Sequence, residues 1–260
     1  MSKLIQRIER LGKDTPAPLG FGAATRRKAA PTMVLLASMS DPSAASELDG
    51  VPLDGVIFTP ETAIGSVLAK AASGLKDIPW GVQVQTPTAD QVKDLVDAGC
   101  DFITLTGMGA SLEALHNEDI GKFLVVAEGI KEEQSHSLEV MPVDGVVYAD
   151  PVSSPLNLEG LLQLACVRGE IGCCFLLPVS GTLTTWELEC LRDIGVEGVI
   201  VDLETTDVDA LNALALTIAD LPRRRSRVEF SSASLPRVSA RAQAPDDDDD
   251  DYPESPDDIS

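Results

Sequence analysis

Short aliphatic runs recur along the chain at nearly even intervals, each followed by a polar or amphipathic stretch. The runs begin near Met33 (MVLLASM), Gly55 (GVIFT), Trp80 (WGVQVQ), Asp101 (DFITLT), Lys122 (KFLVVAE), Gly145 (GVVYAD), Cys174 (CFLLPVS) and Glu197 (EGVIVDLE). Successive starts are 22, 25, 21, 21, 23, 29 and 23 residues apart. Runs this short and this aliphatic read as strands buried on both faces, the pattern of a parallel sheet. Helix-like segments fall between most of them, at 61–72, 88–98, 111–116, 158–167, 184–194 and 207–218. Thr88 with Gln91, and Thr184 with Glu187, have capping-box spacing. Gly99, Gly172 and Gly195 stand where helices should stop.

Strands that alternate with helices pair in parallel through right-handed crossovers. Eight units predict an α/β fold, a (β/α)₈ TIM barrel. An open doubly wound sheet usually stops at about five or six strands and often carries a Gly-rich turn after its first strand. Here the first strand runs into ASMSDPSAAS, which has no glycine. The first unit (42–53, a stunted helix) and the fifth (131–141, polar) carry the weakest pattern.

The ends differ from this repeat. Leu4, Ile5, Ile8 and Leu11 share one face of an amphipathic helix, which either closes the bottom of the barrel or docks a partner. An irregular, Gly-, Pro- and Arg-containing lead-in follows, with a short strand expected at 19–21. The expected division is therefore 1–32 for helix and lead-in, 33–222 for the barrel, and 223–260 for a tail. Residues 223–241 carry six arginines, and nine acids with no base fill 246–260. With so little to bury, the acidic tail is expected to be disordered, either simply solvated or an interaction segment for a protein partner.

Composition narrows the function. A length of 260 residues suits a barrel of about 250. Aromatics make up only 4% of the chain, so Val, Leu, Ile and Ala must build the core. The net charge is −22, and the terminal acids account for nine of those charges, which leaves −13 on residues 1–245. A surface of that sign repels phosphate backbones and anionic lipid, so neither nucleic acid nor membrane is an expected partner. Five cysteines without regular spacing predict reduced thiols and a cytoplasmic setting. Met1–Leu11 lacks the apolar core of a secretory signal. No uninterrupted run approaches the ~18 apolar residues of a membrane span.

In a (β/α)₈ barrel the chemistry lies at the C-terminal ends of the strands. Four carboxylates fall there: Glu128, Asp150, Asp202 and Glu204. They are the candidate catalytic acids and bases. Glu128, Asp150 and Asp202 are equally candidates for holding a divalent metal through oxygen ligands. Capping of the following helices explains Asp150 and Glu204 as cheaply. Thr59, Gln83, Thr106, Ser180 and Gly181 are the candidate substrate contacts. No lysine ends a strand, and Lys122 lies at the opposite end of its run. His116 and His136 lie outside the strands, and no Cys/His group has zinc spacing.

Three stretches, PWGVQVQ (79–85), DAGCDFITLTG (97–107) and FLLPVSGTLTTWELECLRDIGVEGVIVD (175–202), resemble the aldolase-type superfamily of flavin-dependent and phosphate-binding barrels, nitronate monooxygenases among them. The resemblance implies a phosphate or FMN group near the last two strands. The chain departs from that pattern at three places. Of a Gly-rich turn only Ser180-Gly181-Thr182 is present. Asp202 and Glu204 replace a Gly-Ser or Gly-Thr pair, and Tyr148-Ala-Asp150 stands where a histidine would be expected. FMN is therefore the less expected cofactor and a divalent metal the more expected. The functional expectation is a lyase or oxidoreductase acting on a small polar or carbonyl substrate at the C-terminal face. The alternative is a pseudoenzyme, a catalytically degenerate barrel that binds or scaffolds through its N-terminal helix and charged tail.

Overall fold

A computed structural model describes residues 1–13, 31–60, 65–127, 137–138 and 140–222. Eight strands form the barrel: β1 (Val34–Met39), β2 (Gly55–Phe58), β3 (Trp80–Val84), β4 (Phe102–Leu105), β5 (Gly121–Val126), β6 (Gly145–Tyr148), β7 (Cys174–Ser180) and β8 (Gly198–Asp202). Each pairs in parallel with its sequence neighbours, and β8 pairs with β1, so the sheet closes. The fold is the expected (β/α)₈ barrel. Closure leaves no open edge between barrel strands, which removes the template that an unpaired edge presents to other chains.

The helices follow the expected places. They are α1 (Lys3–Glu9), α2 (Gly65–Ala72), α3 (Ala89–Asp97), α4 (Leu112–Leu115), α5 (Leu158–Glu170), α6 (Thr185–Ile194) and α7 (Val208–Ala219). Both capping boxes form, Thr88 with Gln91 and Thr184 with Glu187. Gly195 ends α6 at φ +101°, and Gly99 follows α3 at φ +88°. Gly172 does not play this role, because α5 ends on Ile171 in an extended conformation. The stunted first unit is a 3₁₀ segment, Pro42–Leu48, with Asp41 as its N-cap. The expected strand at 19–21, most of the fifth unit's polar stretch and the tail from 223 lie outside the described residues.

Alternation along the strands sorts the core into two clusters. Val34, Leu36, Ile57, Phe102, Phe123, Val147, Leu176 and Ile200 fill the barrel interior. The residues between them, such as Leu35, Val56, Phe58, Ile103, Leu177 and Val199, face outward and form a second cluster with helix residues such as Leu68, Val92, Leu188, Leu191, Leu211 and Leu214. Glycine at the start of a strand makes room for large neighbours inside. A Cβ on Gly198 would lie 2.3 Å from Val34 Cγ2, and one on Gly145 would lie 2.8 Å from the Phe123 ring.

The N-terminal helix closes the bottom of this barrel. Leu4 and Ile8 join the interior cluster. The Asp101 carboxylate accepts from Ser2 Oγ, Lys3 N and Leu4 N at 2.7, 2.7 and 2.9 Å, so a negative charge sits at the helix N-terminus. Arg7 donates to the carbonyls of Leu53, Asp54 and Asp77 at 3.3, 2.9 and 3.1 Å. Of the two readings of α1, the structure selects the plug, since its apolar face is already covered.

Candidate functional site at the barrel mouth

Above the interior cluster, at the C-terminal ends of the strands, lies a cavity of about 400 Å³. That volume falls within the range of small-molecule sites, roughly 300–1,000 Å³. Its apolar walls and floor come from Ile57, Val125, Val147, Pro178 and Ile200. Polar side chains ring it: Ser38 of β1, Thr59 after β2, Gln83 of β3, Thr104 of β4, Ser180 of β7 and Asp202 of β8. All six continue the inward phase of their strands, which explains why they meet. On β1, for example, Val34 and Leu36 point inward below Ser38.

The rim is built by local hydrogen bonds. Asp202 Oδ1 accepts from Glu204 N at 3.0 Å, and Thr205 Oγ1 donates to Asp202 O at 3.2 Å, so the turn after β8 wraps its own aspartate. Ser40 and Thr59 share a hydrogen bond at 3.2 Å across β1 and β2. Deeper in, Thr104 is only 3% exposed, yet its Oγ1 has no hydrogen-bond partner among the described residues. A buried hydroxyl in that state costs about 1–3 kcal/mol, so it signals something the fold retains for another reason.

One wall depends on a buried carboxylate. After β6, Pro151 lines the cavity, and the two-residue strand Val152–Ser153 pairs with Val179 and Ser180 of β7. Glu187, on α6, accepts from Leu156 N at 2.6 Å, from Thr184 N at 2.7 Å, and from the hydroxyls of Thr184 and Ser154. Burial opposes its charge, but these donors outweigh burial and hold its pKa down to about 2. The capping box was legible in the sequence. That its carboxylate also pins the β6–α5 loop was not, because Ser154 and Leu156 are about thirty residues away.

The residues singled out from sequence divide accordingly. Asp202, Thr59, Gln83 and Ser180 line the cavity. Asp150 and Glu204 are exposed and lie outside its lining. Thr106 lies beyond Thr104 on the exposed rim, its hydroxyl donating to Val84 O at 3.4 Å. Gly181 forms a turn at φ +76° rather than a cavity wall. Glu128 lies outside the described residues. Tyr148, at the expected histidine position, faces outward beside Phe175, with ring centroids 6.2 Å apart. Ser38 and Thr104 stand among the strand-end polar residues that the barrel reading selects but not among the candidate contacts, and Thr205 belongs to neither set. The inward phase of the first two was a usable signal.

For a metal, the donor set fits poorly. No group of three His, Cys, Asp or Glu side chains stands close enough to share an ion among the described residues. Asp202 is the sole titratable side chain of the described cavity lining. The five cysteines are free, and burial pushes the Cys100 thiol up to about 12, the behaviour of a core residue. Among the described residues no helix is long and apolar enough to cross a membrane.

No protein-family model and no curated protein matches the chain. Solved structures do. A mutant tryptophan synthase alpha-subunit from Pyrococcus furiosus is similar at a TM-score of 0.57 and 10% identity, over 74% of this chain and 98% of that one. For 3-hexulose-6-phosphate synthase from Salmonella typhimurium the TM-score is 0.55 and the identity 14%, over 73% and 98%. For thiamine phosphate pyrophosphorylase from Pyrococcus furiosus they are 0.54 and 12%, over 73% and 96%. At these identities the likeness is one of fold. It bears out the (β/α)₈ barrel and goes no further.

Proposed function

We propose that this chain is a small-molecule-binding (β/α)₈ barrel whose ligand sits in the mouth, anchored by Asp202. The observation that carries this reading is the cavity itself. Six polar side chains from six different strands or strand ends converge over an aliphatic floor, while the opposite end of the barrel is filled. Among the expectations for a lyase or oxidoreductase, the one that keeps support is Asp202 as a general base acting on a small polar or carbonyl compound. A lone carboxylate over apolar walls is a competent proton acceptor, and the structural neighbours include synthases. The metal-centred version loses support, since Asp150 lies outside the lining. So does the helix-docking part of the scaffold reading, since α1 is buried in the barrel.

The test is an NMR screen of the full chain against a library of small polar compounds, read at the amides of residues 38, 59, 83, 104, 180 and 202. A ligand that shifts this set saturably, and loses at least tenfold in affinity in Asp202→Asn, supports the reading. Shifts confined to other surfaces would sink it. If the ligand is also turned over, Asp202→Asn should abolish turnover even under saturation, which marks Asp202 as the base rather than an anchor alone.

A further inference from the structure

The neighbours suggest a phosphate ester as the first ligand to try, since two of the three described carry phosphate in their names. The mouth is built against it. A bound phosphate in such barrels uses the loops after the last two strands and the amides of a helix N-terminus. Here three amides of those loops and helix starts are already met by the chain's own acids. Thr184 N donates to Glu187, Glu204 N to Asp202 and Ala210 N to Asp207. No Lys, Arg or His stands among the described residues lining the cavity, and Asp202 places a negative charge in it. Among the described lining residues a dianion would meet a carboxylate and no counter-charge.

What remains open in the cavity, beside the Asp202 carboxylate, is neutral hydrogen-bonding capacity. Thr104 is 97% removed from solvent, and its Oγ1 is unpartnered among the described residues. Asp202 Oδ2 has no hydrogen bond among them, and neither do the Gln83 amide nor Ser180 Oγ. A hydroxyl group both donates and accepts, so it can satisfy a threonine, an amide and a carboxylate in turn. The aliphatic floor of Ile57, Val147 and Ile200 suits the C–H face of the same molecule. We infer that the mouth takes an uncharged polyhydroxylated compound of about sugar size and discriminates against its phosphate ester, with Thr104 as the buried contact that reads one hydroxyl. This rests on the mouth being the ligand site.

The test uses the full chain and matched probe pairs: D-ribose and D-ribose 5-phosphate, D-fructose and D-fructose 6-phosphate, with inorganic phosphate as a control. The expected result is saturable binding of at least one free sugar at the mouth amides, with its phosphate ester bound at least tenfold more weakly. Thr104→Val should weaken the sugar about tenfold while raising the melting temperature, a combination that a merely structural threonine does not give. An ester that binds as tightly as its parent sugar overturns the inference and leaves the mouth as the site. If no pair binds there but the broader screen finds a mouth ligand, the inference again falls alone. If that screen also finds nothing, both readings fall together.

Discussion

The two ends of one barrel interior are built to different rules. At the bottom, Phe102 and Phe123 meet edge to face at 5.7 Å, Leu4 and Ile8 of α1 seal the opening, and strand-start glycines yield the space. The hydrogen-bonding groups there are matched closely enough that Asp101 takes up three donors. Two residues further along the same inward faces, the mouth is a polar-rimmed cavity with a threonine that has no partner among the described residues. Evenly applied selection for stability would have closed both ends. The bottom carries the fold, and the polar, open top is the trade expected where a protein binds something, in keeping with the function proposed above.

Substitutions can break that contrast. The largest effect should come at the bottom, where Phe102→Ala is expected to cost about 3–5 kcal/mol in denaturant unfolding through the cavity it leaves. Below the variant's lowered melting temperature the mouth should still bind. Next comes the wall between the two regimes. Glu187→Gln places an amide N–H against donors that need an acceptor and should cost about 1–3 kcal/mol. Its pH signature is specific. The wild-type carboxylate is held at about 2, below the ordinary 4.5, so its contribution is complete above pH 4.5 and lost as pH falls towards 2. Acid titration of stability should therefore be flatter across that window in the glutamine variant than in the wild type.

At the mouth the sign should reverse. Thr104→Val keeps the shape and removes the orphaned hydroxyl, so it should stabilise by about 1 kcal/mol, a rise of roughly 2–4 °C in melting temperature. A fall would mean that Thr104 is satisfied in solution and the mouth stores no such cost. The smallest effect is expected from Asp202→Asn, within about 0.5 kcal/mol of the wild type, because the residue is half-buried and its single backbone contact survives as an amide. A loss of several kcal/mol in equilibrium unfolding would make Asp202 a structural turn residue.

The fold was legible because its signal is local. Each aliphatic run, each capping box and the glycines after α3 and α6 speak for one unit, and eight such units in sequence admit few closed arrangements. The site was half legible. That chemistry belongs at the C-terminal ends follows from the barrel, and Asp202, Thr59, Gln83 and Ser180, chosen on that ground, line the described cavity. Asp150 and Glu204, each two steps past the end of its strand, lie outside that lining. There the loop decides, and loops answer to distant contacts such as Glu187 with Leu156.

The sequence by itself determined the eight parallel strands, the helices between them and the end of the barrel that carries polar groups, since period and capping are properties of neighbours along the chain. The tertiary structure alone decided that one of the three described candidate acids faces the cavity, that Thr104 is left without a partner among the described residues, and that Glu187 holds a wall of the mouth. Those outcomes depend on which side chains closure brings within hydrogen-bond range across the barrel, and that distance is not written in any local stretch of the chain.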